Sequence, residues 1–550
     1  MIDKPRLRPP AIVMQLDRLG AMHQTPLSFS RSLVRKMMRE RWRIEPVLLE
    51  LDAGGYGTCV YSVNALDERY SVVLFTDRLA DDERTDRVIA EKWDITCALV
   101  EGEVDAARLA ELRLNVPKQE AGRNRPNVLV LSRANKSGRN FNAVVNALAN
   151  GEQPEADALR RVGYLVRTTA VYGNGKFGVA DFAKLRRRKA FGATFAAQMF
   201  TVFMIRHFSC ELVEYIARQR SSNAVPLAPA IRRYIGVGNA TGLGMAPFLV
   251  KHPQLIHAWL ATREKAIAQI VYDAPVSAEQ ITRLDQLATR AAQHFTECHT
   301  PDARQSANNA ILVRELASFR AWLATATPSA DLWRNIPADY SLETQEVIHT
   351  LLMEVYADMI HELEAETSAR EEMTLRPMMT VGELRQTIER KYGWALKISL
   401  SEPSSQHLFW YRSAAKEEPR LGQRYSEPGA ELEMRIDIGR AVQQLDAELR
   451  AYSAGLPIIR FLLDHPQRRG LIRRVQSDIG YGEIQANLLD RATLPIHLLR
   501  CKLAMFGASK FDPKSDRWVR ITLFQGAPLV SDIGRDTTDD WNFPIFPIPS

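Results

Sequence analysis

The hydrophobic pattern of this chain changes its period along the sequence, and this change constrains the fold more than any other feature. Short runs rich in β-branched and aromatic residues at Thr58–Val63 and Tyr70–Phe75 predict two strands joined by the polar turn at 64–69. From about 155 to 370, apolar residues recur at helical spacing. After residue 374 the pattern is mixed again. The sequence therefore predicts an α+β fold that is predominantly helical.

A chain of 550 residues is too long for one hydrophobic core. We expect a mixed α/β domain with a β-hairpin at 1–150, a mainly helical domain with glycine-rich turns at 151–373, and a mixed α/β domain at 374–550. The segment Phe543–Pro549 alternates proline with apolar residues, which excludes a helix. It predicts an extended C-terminal tail that clasps another domain or subunit.

Local signals place several elements within these domains. Ser277 to Gln280 and Thr380 to Glu383 have the spacing of capping boxes, so a helix is expected after each. Trp394–Leu400 and His407–Arg412 predict a second hairpin. Leu27–Arg43 predicts an amphipathic basic helix, which packs its apolar stripe inward or lies on an anionic partner.

Composition indicates a soluble cytoplasmic protein. The first residues have no apolar signal region and no apolar run approaches the length of a membrane span, so no membrane partner is expected. The five cysteines are scattered and include no C-x-x-C pair, which is typical of reduced thiols. A net charge of +7 over 62.2 kDa is modest. It permits an anionic ligand, and the excess of arginine over lysine equally fits a GC-rich, bacterial-like genome.

A glycine-rich stretch at 235–250 precedes an apolar segment. We expect it to form a turn that opens a helix, because glycines permit close backbone approach and the free N–H groups of a helix start hold an anion. The alternative is a tight turn needed only for packing. The candidate anion-binding residues here are Gly238, Asn239, Thr241, Gly242 and Gly244.

The glycines of this stretch match the T-G-x-x-x-G-x-G pattern of short-chain dehydrogenases, but Val237 stands where that pattern has Thr. Two further features argue against that family. The preceding segment 230–234 is charged and does not read as a buried strand. The Tyr172-x-x-x-Lys176 spacing includes two glycines, which places it on a loop.

A second stretch, 167–178, crowds hydrogen-bonding side chains around three glycines. Lys176 and Tyr172 are the candidate catalytic residues for proton transfer. A common turn dipeptide, Asn174-Gly175, is the alternative explanation. The candidate substrate-binding residues here are Arg167, Thr168, Thr169 and Asn174.

Two more segments offer basic side chains. The first is a predicted polar loop at 133–140 between a strand at 128–132 and a helix at 141–149, and it lacks the P-loop pattern. Its candidate anion-binding residues are Arg133, Asn135, Lys136 and Arg139. The second interleaves basic and aromatic residues near 506–518, where an ordinary loop is favoured over base stacking. Its secondary candidates are Lys510, Lys514 and Arg517.

No metal site is expected. His252 and His257 are five residues apart, as are His294 and His299, whereas two helical ligands need a spacing of four. His207, near Ser209 and Cys210, is interpreted as a core histidine.

The leading hypothesis is an enzyme that binds a phosphate- or carboxylate-bearing small molecule and uses lysine and tyrosine acid–base chemistry at a site where the segments 133–140, 167–178 and 236–244 converge. One alternative is an oxidoreductase that uses a nucleotide cofactor. Another is a non-catalytic scaffolding or nucleic-acid-associated regulatory protein, although nucleic acid is disfavoured as a partner. No cofactor is required, a nucleotide or flavin is compatible, and a homodimer is the expected assembly.

Overall fold

A computed structural model gives the fold of the chain. The structure describes residues 7–79, 92–120, 123–138, 140–168, 185–242, 253–368, 375–399, 410–413, 419–421, 433–435, 438–477, 496–514, 518–535 and 541–547.

The chain forms two compact units, each assembled from separate stretches of sequence. The smaller unit contains Met1–Ala21, Gly242–Gln269 and Ala365–Lys502. The larger unit contains Met22–Thr241, Ile270–Glu364 and Leu503–Ser550. The three-domain division expected from the sequence stays a prediction.

The larger unit is built on a sheet of nine strands in the order β1-β2-β3-β4-β5-β6-β7-β12-β11. From β1 to β6, each strand pairs antiparallel with the next strand in the sequence. Strand β11 pairs antiparallel with β12, whereas β6 pairs in parallel with β7. The sheet is therefore mixed. Its strands are β1 Arg43–Leu51, β2 Gly57–Ala65, β3 Glu68–Thr76, β4 Ile95–Glu101, β5 Val128–Lys136, β6 Tyr164–Thr168, β7 Gly236–Gly242, β11 Ala508–Pro513 and β12 Trp518–Leu523.

A second sheet of three short strands belongs to the smaller unit. Its order is β10-β8-β9, with β8 Trp410–Ser413, β9 Pro419–Leu421 and β10 Glu433–Arg435.

Helices account for most of the regular structure, and none in the described part of the chain is long and apolar enough to cross a membrane. The α-helices are α1 Pro10–Val13, α2 Leu16–Leu19, α3 Phe29–Arg39, α4 Ala106–Asn115, α5 Asn140–Ala149, α6 Ala156–Val162, α7 Ala196–Arg220, α8 Pro229–Tyr234, α9 Pro253–Asp273, α10 Ala278–Glu297, α11 Ala303–Thr325, α12 Leu342–Val355, α13 Val381–Leu396, α14 Ile438–Leu449, α15 Ile458–Asp464, α16 Arg469–Gln476 and α17 Ile496–Phe506. Short 3₁₀ helices lie at Val116–Lys118, Leu332–Asn335, His361–Ser368, Pro466–Arg468 and Val530–Asp532.

The two faces of the large sheet are covered differently. The long helix α7 is apolar nearly all round, so it is buried against one face. On β5, this is the face that carries the Ser132 side chain, because Ser132 Oγ forms a hydrogen bond with Oγ1 of Thr201 on α7 (2.5 Å). On the other face, Val73, Phe75 and Leu131 pack against α4 and the turn that follows it. Side chains alternate along a strand, so each strand contributes to both cores.

The predicted α+β, predominantly helical fold is confirmed. The first hairpin is formed by β2 and β3, and both predicted capping boxes are present, at Ser277 before α10 and at Thr380 before α13. The basic helix is α3, but it does not offer its cations to a partner: Arg31 is fully buried and pairs with Glu354 at 2.6 Å. Arg35 and Arg39 also pair with acidic residues.

The region from 155 to 370 is mostly helical, as expected, and also contributes the strands β6 and β7 to the large sheet. Two expectations about secondary structure are wrong. Residues 394–396 continue helix α13 and do not start a hairpin. The predicted loop at 133–140 is strand as far as Lys136, because β4 and β6 pair with it on either side.

The C-terminal segment 541–547 contains neither helix nor strand and packs against its own unit. Arg290 Nε donates to the Phe543 carbonyl (2.9 Å), and the Phe546 ring lies 4.9 Å from that of Tyr234. The described part of the tail has no regular secondary structure and contacts elements of the unit that contains it, and the predicted clasp on another domain or subunit stays a prediction.

Candidate functional site on strands β5 and β6

The glycine-rich stretch does not form the predicted turn before a helix. Gly236–Gly242 is strand β7, and the next described helix begins only at Pro253. Glycines are needed there for close packing. A Cβ at Gly238 would lie 2.4 Å from the Tyr164 ring, and one at Gly236 would lie 2.5 Å from the Leu523 carbonyl oxygen. The prediction that residues 236–242 form a turn that opens a helix is therefore wrong. The argument that the free N–H groups of such a helix hold an anion fails with it.

The sheet nevertheless brings the described parts of the three predicted segments side by side. Asn135 on β5 lies opposite Arg167 on β6, and Arg167 lies opposite Gly238 on β7. Candidate residues from segments far apart in sequence are therefore neighbours. The candidates that fall outside the described residues are Lys176, Tyr172, Thr169, Asn174, Arg139, Gly244 and Arg517, and of Thr241 and Gly242 only the strand backbone is described.

Three candidate side chains share one face of the sheet. Asn135 and Arg167 are directly opposite in an antiparallel pair, which places both side chains on the same face. Arg133 is two residues before Asn135 on β5 and therefore lies on that face too. It is the face opposite to the one covered by α7. All three side chains are half-buried. We call Arg133, Asn135 and Arg167 the arginine face.

The residues that neighbour the two arginines across the strands carry no charge. Thr96 on β4 lies opposite Arg133, and Asn135 and Gly238 flank Arg167. Two half-buried guanidinium groups therefore lie on neighbouring strands. Burial lowers the pKa of Arg133 to about 10, because the charged form loses part of its hydration.

An aromatic ring and a backbone contact fix this arrangement. The Arg133 Cζ atom lies 4.0 Å from the centroid of Trp93, which is only 4% exposed. Asn135 Oδ1 accepts a hydrogen bond from the Asp94 N–H (3.1 Å), which leaves the NH₂ group of Asn135 as the part that can donate to a ligand. Two guanidinium groups and one amide donor form a set suited to carboxylate or phosphate oxygens.

Lys136 and Thr168 have other surroundings. By alternation their side chains lie on the face of β5 and β6 opposite to the arginine face. The Lys136 ammonium lies 4.8 Å from the centroid of Tyr56 and 5.0 Å from that of Phe141. The Thr168 hydroxyl donates to the Arg133 carbonyl (2.9 Å). These two candidates are therefore not part of the arginine face.

Asn239 is, like Thr168, only 1% exposed. Its side-chain amide has no hydrogen-bond partner among the described residues. Since Arg167 lies opposite Gly238, the register places Asn239 next to the end of β6.

The secondary candidates near the C-terminus have internal roles. The buried Lys510 ammonium donates to the Arg160 and Arg161 carbonyls (2.7 and 3.2 Å), in the last turn of α6. Lys514 pairs with Asp512 at 2.6 Å. Burial lowers the pKa of Lys510. These contacts give both lysines a structural role within the folded unit.

His207 lies in a polar cluster between α7 and β2. Its Nε2 atom is 3.3 Å from Glu211 Oε1, and the Tyr61 hydroxyl donates to the other carboxylate oxygen of Glu211. Burial raises the pKa of Glu211, but the hydrogen bonds from His207 and Tyr61 outweigh that effect and lower it. Within the described ranges no group of three or more His, Cys, Asp or Glu residues could hold a metal ion.

Sequence reasoning missed the contributions of Trp93 and Asp94 to this site. Nothing in the spacing of the sequence connects Trp93 with Arg133, forty residues later. The strand pairing of β4 with β5 creates that contact. Comparison of the chain with protein-family models, with curated proteins and with solved structures gives no match.

Proposed function

We propose that the protein binds a phosphate- or carboxylate-bearing small molecule on the arginine face. The observation that carries this proposal is the placement of Arg133 and Arg167 on the same face of adjacent strands. Guanidinium groups bind carboxylate and phosphate oxygens through charge-assisted, often paired hydrogen bonds, so two of them on one face suit an anionic ligand. The role of Lys176 and Tyr172 as acid–base residues stays a hypothesis about the same ligand.

The aromatic residues near the arginine face argue for a small anion and against a stacked nucleic-acid base. Trp93 is 4% exposed and its ring is covered by the Arg133 guanidinium, so it offers no open face to a base. Its use is to hold the guanidinium in place. The ligand would therefore be held by hydrogen bonds from Arg133, Arg167 and the Asn135 amide.

The test is calorimetric titration of the purified protein with inorganic phosphate, pyrophosphate and a dicarboxylate, beside a thermal-shift series. At least one of these anions should bind and raise the melting temperature in proportion to its affinity. Arg133→Gln and Arg167→Gln should each weaken that binding by about tenfold or more, which is the range of a charged hydrogen bond.

The matched control is the pair Arg69→Gln and Arg125→Gln. Both arginines are exposed and pair with acidic residues, at 2.8 Å in each case. Their replacement lowers the net charge equally but should leave anion affinity unchanged. If none of the three anions binds, or if the Arg133→Gln/Arg167→Gln double variant binds as well as the control, the proposal is wrong.

A further inference from the structure

The segment 541–547 is held in the way that proteins hold a bound peptide, although it belongs to the same chain. It contains neither helix nor strand, and no backbone-to-backbone hydrogen bond involves it among the described residues. Four of its backbone groups are paired with side chains from other elements. Because buried backbone groups need partners, these side chains take the place of the ladder that a sheet would supply.

Helix α10 supplies donors to two consecutive carbonyls of the segment. Arg290 Nε donates to the Phe543 carbonyl (2.9 Å). His294 Nδ1 donates to the next carbonyl, that of Pro544, at 2.7 Å. A carbonyl oxygen only accepts, so the proton of the imidazole lies on Nδ1. The two side chains are four residues apart on the helix, and they therefore lie on one face of it.

Two more side chains hold the backbone on either side of these contacts. Gln24 Nε2 donates to the Asn542 carbonyl (2.7 Å), one residue earlier in the segment. Glu297 Oε2 accepts from the Phe546 N–H (3.4 Å), farther along the segment. Glu297 is the last residue of α10, three positions after the histidine, and it extends the same face. The four contacts fix the path and the direction of the segment without selecting its side chains.

Two phenylalanine side chains anchor the segment among aromatic residues. Phe543 is 4% exposed, and its ring centroid lies 5.4 Å from that of Phe295 on α10. Phe546 is 3% exposed, and its ring centroid lies 4.9 Å from that of Tyr234 on α8. Ile545 lies between the two anchors and is only half-buried. Since buried aromatic anchors provide most of the affinity in protein recognition, these two side chains would select the ligand.

Proline follows each of the two anchors, at positions 544 and 547. Its ring fixes φ near −65°, which keeps the unbound segment out of a helix and lowers the entropy lost on binding. The contact with Pro544 is close, because a Cβ at Gly526 would lie 3.0 Å from the Pro544 Cβ. Glycine at position 526 therefore lets the segment approach the backbone that follows β12.

The charges around the segment suit a neutral peptide. The guanidinium of Arg290 contacts a backbone carbonyl, and the carboxylate of Glu297 contacts a backbone N–H. Both charged groups are thus matched by peptide dipoles and need no charged side chain on the ligand. A nucleic acid or an anionic lipid headgroup would bring phosphate close to the Glu297 carboxylate, which is unfavourable.

We propose that these side chains form a peptide-binding site, which we call the tail site. Its ligand is an extended peptide with two phenylalanines three residues apart, each followed by proline, and the segment 541–547 of the same chain fills it in the structure. A partner segment of this chemistry therefore has to displace 541–547. The site belongs to the larger unit and is separate from the arginine face on β5 and β6. Its residues are Gln24, Tyr234, Arg290, His294, Phe295 and Glu297.

The experiment uses the full-length chain with a protease site inserted within 536–540. Cleavage removes the covalent link to the segment but none of the contacts described above. The cleaved segment should stay bound during gel filtration, and an excess of a fluorescein-labelled peptide of residues 541–550 should replace it, measured by anisotropy. The uncut chain should bind this peptide at least about tenfold more weakly, because a linked segment acts at a roughly millimolar effective concentration.

Two variants of the labelled peptide form a matched pair. Phe546→Ala removes a buried ring and should weaken binding to the cut chain by about tenfold or more. Ile545→Ala changes the neighbouring, half-buried position and should weaken it by less than about threefold.

Four outcomes would overturn the proposal. Unfolding of the cut chain, seen by circular dichroism, would make the segment part of the core and not a ligand. Failure of the labelled peptide to bind the cut chain would show that the site does not take a peptide. Equal binding by the cut and uncut chains would place the peptide elsewhere, and equal affinities for the two peptide variants would remove the anchoring role of the phenylalanine.

Discussion

The Arg133 guanidinium lies 4.0 Å from the centre of the Trp93 ring, although the two residues are forty positions apart. Pairing of β4 with β5 brings them together, and the ring lies in the segment directly before β4. The stacked ring limits the directions in which the guanidinium can point. Arg133 therefore reaches the arginine face in a fixed orientation, which lowers the entropy cost of binding an anion.

The first prediction concerns this stacking. Trp93→Leu should reduce affinity for the anion identified by calorimetry by about tenfold, since a cation–π contact of a partly buried arginine contributes about 0.5–2 kcal/mol. Trp93→Phe retains an aromatic face and should recover most of the affinity. Titration of both variants checks this. Equal affinities for the two variants would mean that the ring has no orienting role.

The second prediction tests why glycine occupies position 238. Gly238→Ala would place a Cβ 2.4 Å from the Tyr164 ring, and we expect a loss of about 1–3 kcal/mol in the free energy of unfolding. Gly470→Ala is the control, because a Cβ there has no neighbour within 4 Å and the residue lies in α16. It should be neutral or stabilise by up to about 1 kcal/mol. Urea unfolding measures both, and similar values would refute the packing explanation.

The third prediction is a pH dependence of stability. His294 Nδ1 lies 2.7 Å from the Pro544 carbonyl, and burial lowers the pKa of His294 from 6.5 to about 4. The unfolded chain thus takes up a proton near pH 6.5, whereas the folded chain does so only near pH 4. Neutral His294 makes its full contribution to the free energy of unfolding above pH 6.5. This contribution is lost as pH drops toward 4, which lowers the free energy of unfolding by about 3 kcal/mol.

Asparagine at position 294 keeps a donor near the Pro544 carbonyl but does not titrate. We expect His294→Asn to have a lower free energy of unfolding than the wild type at pH 7. Because asparagine does not titrate, this free energy should decline less between pH 7 and pH 4 than it does in the wild type. Urea unfolding at several pH values measures the difference. Parallel declines in the two proteins would assign the pH dependence to other groups.

The fourth prediction concerns Arg206, which is buried inside α7. Its guanidinium donates to four backbone carbonyls, those of Arg233, Ile235, Ala527 and Pro528, at 2.7–2.9 Å. Arg206→Met should cost about 3–5 kcal/mol, because several buried carbonyls lose their donor. Arg206→Lys should recover little, since one ammonium cannot reach both chain segments.

Arg69→Gln is a suitable comparison for Arg206. That arginine is exposed and paired with Glu103, so its loss should change the free energy of unfolding by less than about 1 kcal/mol. Chemical denaturation of the three variants distinguishes the outcomes. A small effect of Arg206→Met would show that water replaces the guanidinium.

Elements whose cause is local could be predicted from the residues that form them. The hairpin of β2 and β3 follows from two strand-forming runs around a polar turn, and the capping boxes at Ser277 and Thr380 follow from side chains three residues apart. The lack of helix and strand at 541–547 follows from the conformational restriction of proline. The α+β class is the sum of such local preferences.

Other elements depend on contacts between residues far apart in the chain, and these could not be predicted. The glycine-rich stretch became strand β7 because β6 and β12 supply backbone partners on both sides, and glycine lets the Tyr164 ring approach. The three arginines of α3 pair with acidic residues more than 300 positions away, such as Glu354 for Arg31. Hydrogen bonding between strands and ion pairing depend on distance in space, which the linear pattern of a single sequence does not record.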